Sequence, residues 1–278
     1  MTRLEAKAKI NLFLEITGRL ENGYHTISTV MHEIGLCDYV TLTETDNGSI
    51  TLTSSCDTMP LDERNIAYRC AALFFERSGI ECKGVNIHIE KNIPMEAGLA
   101  GGSTDGAATL KALNRLYGEP FTTEELCTLG AKVGADIPFC ILGGSVLCEG
   151  IGEIMTPIAP LPPCHILVAK GRQGVSTKWA YEQFDLMEER EIKENPMVEL
   201  LRKGDIKDIC SAMYNCFELL VPSVGEIKDI MNGCGALGSM MSGSGTAVFG
   251  IFDSKEKMSS AAIKLQEKNI SVFCCDNR

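Results

Sequence analysis

The sequence predicts an α+β protein with two lobes. Three observations support this. Short segments of strand period are intermixed with longer segments of helix period along the whole chain. Leu161–Pro162–Pro163 reads as a boundary, dividing the chain into residues 1–160 and 161–278. The 278 residues suffice for one large domain or two ordinary ones.

The elements follow in order. From Ala8 to Thr17 the residues alternate, with Ile10, Leu12 and Leu14 on one face and Lys9, Asn11 and Phe13 on the other. Asn22–Gly23 is a turn signal. Val40–Leu42 and Ile50–Leu52 read as strands. Asn65–Ser78 reads as a helix, because Ile66, Cys70, Leu73 and Phe74 recur at helical spacing and Gly79 stops it. Val85, Ile87 and Ile89 alternate with Asn86, His88 and Glu90, which marks a strand. A glycine-rich loop comes next, and then a helix from about Ser103 to Tyr117.

Beyond the boundary a strand is expected at His165–Ala169. Helices are expected at Thr177–Phe184, Met197–Lys203, Ile206–Tyr214 and Val224–Met231. A glycine-rich strand pair spans Ala236–Phe252. A helix near Lys255–Lys268 and a strand beginning at Ser271 close the chain.

Composition narrows the function. Lys plus Arg number 26 against 37 Asp plus Glu, a net charge of −11. Such a chain gains nothing from counterion release on nucleic acid and is repelled by anionic lipid, so neither is an expected partner. The longest strongly apolar run, Ile137–Cys148, holds two glycines and is too short to span a bilayer. The thirteen cysteines form no C-x-x-C pair, and the four histidines lack ligand-like spacing to them. Buried free thiols are expected, with no targeting segment at the start, so the expected location is the cytoplasm.

Four segments carry chemistry. Pro94, Met95, Glu96, Ala97, Gly98, Leu99, Ala100, Gly101, Gly102, Ser103 and Thr104 follow a strand and open a helix. Glycines there let backbone N–H groups turn inward, and the helix start adds orphan N–H groups and a positive dipole end. The result is a phosphate cradle, though neither a Walker A loop nor a dinucleotide fingerprint. The plain alternative is a strand–loop–helix connection capped by Ser103.

The second segment is Ala8–Lys9–Ile10–Asn11, continued by Gly18–Arg19 and by Gly23–Tyr24–His25. Strand period places Lys9 and Asn11 on one face. The third is Gly134–Ala135–Asp136–Ile137–Pro138, where helix capping by Asp136 is the simpler reading from the residues alone. The fourth is Met241–Ser242–Gly243–Ser244–Gly245–Thr246, a turn leading into a strand. Gly233–Cys234–Gly235–Ala236–Leu237–Gly238 matches G-x-G-x-x-G literally. It follows an amphipathic helix rather than a strand, so it reads as a helix stop and a turn.

Together these segments resemble the GHMP kinase superfamily, and the phrase from Ala8 to His25 resembles the branch acting on a cytidine diphosphate ester of methylerythritol. Ala100, Thr104 and Gly106 depart from the commonest form of the first motif. The resemblance implies an N-terminal lobe like the second domain of ribosomal protein S5 and a ferredoxin-like C-terminal lobe. It implies ATP as phosphoryl donor, held by residues 94–104, and Mg²⁺ bridging its phosphates. Ser103, Thr104 and Glu149 are candidates near the metal, whose ligands stay open. Asp136 becomes the general base and Lys9 its partner, with Asn11 orienting the acceptor. Tyr24 and Tyr181 would stack on the cytosine ring and His25 would hydrogen-bond to it; helix packing serves Tyr181 equally well. Homoserine- or mevalonate-type kinases and a non-catalytic nucleotide sensor remain the alternatives.

Overall fold

The first strand, β1 (Thr2–Arg19), and the second, β2 (His25–Glu44), are long, and each runs through two units. One unit comprises Met1–Ala8, Cys37–Met95 and Ala100–Gly143. The other comprises Lys9–Leu36, Glu96–Leu99 and the chain from Gly144 onward. The computed structural model describes residues 1–171, 174–187 and 190–277.

In the first unit, β3 (Ile50–Ser54) pairs parallel with β4 (Val85–Glu90), and β4 pairs antiparallel with the end of β2, Tyr39 facing Glu90. The expected alternation in β4 holds: Val85, Ile87 and Ile89 are fully buried, while their neighbours are half-exposed. Helix α1 (Ile66–Ser78) starts where the Asn65 side chain accepts from the Ala67 N–H, and it ends at Gly79 with φ +67°. It packs on α2 (Gly101–Leu116). Phe74, Phe75, Tyr117 and Phe121 close this core, with Phe74 and Phe121 edge-on at 5.4 Å. A Thr122–Glu125 capping box begins α3 (Thr123–Ala131), and α4 (Ile137–Leu142) follows.

In the second unit, β5 (Ser145–Glu149) pairs with the first part of β2, and β6 (Ile154–Pro157) with β5. After β7 (His165–Lys170) come α5 (Thr177–Phe184), α6 (Met197–Lys203), α7 (Ile206–Ser211), β8 (Tyr214–Asn215) and α8 (Gly225–Gly233). β9 (Gly238–Met241), β10 (Val248–Phe252), α9 (Lys255–Glu267) and β11 (Ser271–Asp276) complete it. The antiparallel sheet runs β11-β7-β10-β9, with α8 and α9 packed on it. That is the β-α-β-β-α-β plan expected of a ferredoxin-like lobe. Leu167, Phe217, Met231, Met241, Phe252 and Leu265 belong to its core.

Several elements differ from expectation: β1 runs beyond the expected Ala8–Thr17 at both ends, and α3, β5 and β6 carried no expectation. Val40–Leu42 is only the end of a 20-residue strand, whose earlier part lacks clean alternation, with Val30, Met31 and His32 consecutively buried. The helix expected over Ile206–Tyr214 stops at Ser211; Tyr214 instead pairs with Phe13 of β1. Helix α2 begins at Gly101, not Ser103. The G-x-G-x-x-G segment is the end of α8 and the turn into β9, as its context predicted.

Candidate active site

In the first unit the site is built around the start of α2. Pro94 and Met95 bring the chain off β4, and Ala100 takes the left-handed conformation at φ +59° to aim the helix. Ala100 at the N-cap provides no side-chain cap, so among the described residues none caps the first-turn N–H groups of α2. Ser103 lies inside that first turn and is half-buried. The Thr104 hydroxyl is turned away and donates to the Lys7 carbonyl at 2.8 Å.

Behind this helix start lies an ionic cluster that the sequence did not disclose. Lys91 Nζ donates to Asp105 Oδ2 at 2.8 Å and also to Asp38. Asp38 Oδ1 accepts from the backbone N–H groups of Asn92 and Ile93. The cluster therefore ties β2, the exit of β4 and the first turns of α2 together. Burial pushes the Asp105 carboxyl up to about 8; Lys91 opposes the rise, and the Asp38 charge adds to it.

Asp136 occupies the N-cap position of α4, with φ −82° and ψ −11°, yet its side chain makes no capping bond. A true side-chain cap sits in extended backbone, as Asn65 and Thr122 do here. Capping therefore does not account for this aspartate, which is half-buried. A Cβ added at Gly134 would lie 3.9 Å from Ser103 Oγ, so the turn carrying Asp136 neighbours the first turn of α2.

In the second unit, Lys9 is 4% exposed and donates to Asn11 Oδ1 at 2.6 Å. Asn11 Nδ2 donates to Thr29 Oγ1 at 2.9 Å, and that hydroxyl donates to the Phe13 carbonyl. Strand period placed Lys9 and Asn11 together; Thr29 comes from β2 and carried no local signal. The Lys9 N–H donates to the Leu99 carbonyl, and the Ala247 N–H to that of Ala97. These bonds fix Glu96, Ala97, Gly98 and Leu99 between β1 and the Met241–Ala247 turn. A Cβ at Gly98 would stand 2.1 Å from the Ser242 carbonyl oxygen, and one at Gly243 would stand 3.1 Å from Lys9 Nζ. Only glycine permits such approach. Asn215, which belongs to no motif, donates to the carbonyls of Met241 and Gly243 and holds the turn.

A second group lies in the same unit. His25 stacks on Tyr181, with ring centroids 4.9 Å apart and an interplanar angle of 26°. Tyr181 also meets Phe217 edge-on at 4.9 Å. Tyr24 is 62% exposed. Asp185, unmarked in the sequence, accepts from His25 Nε2 at 2.6 Å. Among the described residues no group of three or more His, Cys, Asp or Glu is arranged to hold a metal ion.

Comparison with known proteins places this architecture. Residues 65–144 match the GHMP kinases N terminal domain, and residues 197–271 match the GHMP kinases C terminal domain. The chain belongs to the GHMP kinase family, and it is a small-molecule kinase that uses ATP. Within that family it is similar to the 4-diphosphocytidyl-2-C-methyl-D-erythritol kinase of Caldicellulosiruptor saccharolyticus, at 42% identity covering 99% of this chain and 97% of that one. The enzyme of the same name from Clostridium botulinum is 44% identical, covering 97% and 98%. A crystal structure of 4-(cytidine 5'-diphospho)-2C-methyl-D-erythritol kinase superposes with a TM-score of 0.82 at 30% identity, covering 99% and 98%. Mevalonate kinase of Methanococcus jannaschii shares the fold, with a TM-score of 0.76 at 19% identity and coverage of 99% and 97%.

Proposed function

We propose that this enzyme transfers the γ-phosphoryl group of ATP to the 2-hydroxyl of 4-diphosphocytidyl-2-C-methyl-D-erythritol, in the non-mevalonate route to isoprenoid precursors, in the cytoplasm. What carries the reading is identity of 42% over 99% of the chain to a relative of that name. The segments of Lys9, His25 and Asp136 resemble the family phrases. The division into domains 1–160 and 161–278 belongs to the same reading; the family matches at 65–144 and 197–271 fall one in each, whereas the compact units also assign residues 9–36, 96–99 and 144–160 to the second.

The residues then take roles. The uncapped start of α2, with residues 94–104 leading into it, suits the triphosphate, because orphan N–H groups at a helix N-terminus favour an anion. Mg²⁺, bound with the nucleotide, supplies charge neutralisation to the phosphates. Asp136 accepts the proton of the acceptor hydroxyl; its freedom from capping leaves the carboxylate available. Lys9, positioned by Asn11, supports the ionised base and the developing alkoxide electrostatically. Tyr24, His25 and Tyr181 receive the cytidine end.

The test is ATP turnover with and without the cytidine diphosphate acceptor, beside homoserine and mevalonate. Turnover that depends on the cytidine acceptor supports the reading. Turnover with mevalonate or homoserine instead would replace it with another member of the family.

A further inference from the structure

We infer that Asn215 is a positioning residue for the transfer step: by gripping two carbonyls of the Met241–Gly243 turn it holds that turn against Lys9 and keeps the ammonium in its working place. The inference rests on the role proposed above for Lys9.

Asn215 is 4% exposed. Its Nδ2 donates to the Met241 carbonyl at 2.7 Å and to the Gly243 carbonyl at 2.8 Å, and its Oδ1 accepts from the Phe217 N–H at 3.0 Å. An amide nitrogen carries two hydrogens, so both are committed to the turn. Glu218, in the same short segment, accepts from the Met241 N–H at 2.8 Å and is itself paired with Lys228 of α8. Met241 is thus held at its N–H and at its carbonyl by one stretch of chain.

That stretch is also fixed to the strand that carries Lys9. In β8, Tyr214 pairs with Phe13 and Asn215 with Leu14 of β1. β8 is only two residues long, and its consequence is to place this amide. On the far side, a Cβ at Gly243 would stand 3.0 Å from the Gly98 carbonyl oxygen and 3.1 Å from Lys9 Nζ, so Gly243 is wedged between the two. Strand β1, Asn215, the turn and Lys9 therefore close a ring. Within it the Asn215 side chain sets the distance between the strand and the wedge. Lys9 is 4% exposed, and a charge kept from water acts more strongly on the oxygens it faces. Without the two donations the turn can draw back and the lysine can swing. A displacement of about 1 Å is enough to cost on the order of 100-fold in rate.

The experiment compares wild type, Asn215→Asp, Lys9→Met and the double variant. Asn215→Asp keeps an oxygen to accept from Phe217, where Asn215 caps the short helical turn Cys216–Leu220, but loses both donations when ionised. It therefore separates the grip on the Met241–Gly243 turn from the local cap. With ATP and the cytidine acceptor, its kcat should fall at least about tenfold, while KM for each substrate moves less than about threefold. In the Lys9→Met background the same substitution should add little, because the two residues act as one unit. A second readout follows Lys9 directly, by reductive methylation of the substrate-free enzyme and mass spectrometry. Lys9 should be protected in wild type and lose that protection in Asn215→Asp, while Lys91, whose side chain is 7% exposed, stays protected as a sign of an intact fold. A folded Asn215→Asp enzyme with wild-type kcat overturns the inference, as does a slow variant in which Lys9 remains protected. If Asn215→Asp does not fold, Gly243→Ala decides, since its methyl would push the wedge off Lys9; wild-type kcat there overturns the inference as well. A Lys9→Met enzyme with wild-type kcat would instead refute the role of Lys9 itself, a result obtained before any Asn215 variant is made.

Discussion

Ser242 Oγ donates to the carbonyl oxygen of Gly98 at 3.0 Å, joining two glycine-rich segments 144 residues apart. The bond explains why Gly98 sits at φ +73° with its Cα against the Ser242 backbone. It also holds Glu96–Leu99 against the later turn.

Gly98→Ala is the sharpest test of that arrangement. The added methyl would overlap a backbone oxygen that cannot rotate away, in a conformation L residues avoid. Strain of about 1–3 kcal/mol is expected, seen as a lower Tm. Displacement of the loop should also lower ATP turnover, on the order of 100-fold. An alanine variant with wild-type Tm and turnover would show that the close approach is not needed.

Gly101→Val probes the helix start. A Cβ there meets Ile93 Cγ2 at 3.1 Å and Lys91 Nζ at 3.4 Å, so a branched side chain crowds the first turn of α2. ATP affinity measured by calorimetry should fall at least about tenfold, with the fold preserved. Unchanged binding would remove the phosphate role from this segment.

Asp136→Asn separates chemistry from capping. Asp136 makes no side-chain cap bond, so the substitution should leave Tm nearly unchanged. Loss of the base should reduce kcat by roughly 10²-fold or more, with ATP binding intact. Lys9→Met should give a similar fall in kcat, and the double variant should be hardly worse than either, as for groups acting in one step. Near-wild-type turnover by folded Asp136→Asn would end the assignment of a base there.

The Asp38–Lys91–Asp105 cluster predicts a pH dependence of stability. Asp105 has its carboxyl raised to about 8, chiefly by burial, while the unfolded chain titrates near the ordinary carboxylate value. Between those values the folded state binds the extra proton, so the stabilising contribution is complete at low pH and is lost as pH rises through about 8. Tm should therefore decline from pH 6 to 9 more steeply in wild type than in Asp105→Asn, which has no proton to lose there. Parallel Tm profiles would mean that Asp105 does not titrate in this range.

Much of the fold was legible because its signals are local. α1 could be read from apolar spacing and a Gly stop, and β4 from strict alternation. α5 and α6 begin and end as their periodicity required. The start of β2 was hidden because its consecutive buried residues give no alternation and its partner β5 lies more than 100 residues away in sequence. Tyr214 was hidden for a similar reason: helical periodicity continues through it, but pairing with Phe13 wins.

The sequence by itself determined the glycine-rich connection before α2, the shared face of Lys9 and Asn11, and the family phrases around His25 and Asp136. These follow from backbone freedom and side-chain period over a few residues. Only the tertiary structure decided that Asp136 is not a side-chain cap, that Asp185 meets His25, that Asn215 holds the Met241–Gly243 turn, and that Lys91 joins two buried aspartates. Each of these depends on strand register or helix placement across tens to hundreds of residues. Hydrogen bonds and ion pairs act over a few ångströms, so packing chooses such partners and local sequence does not mark them.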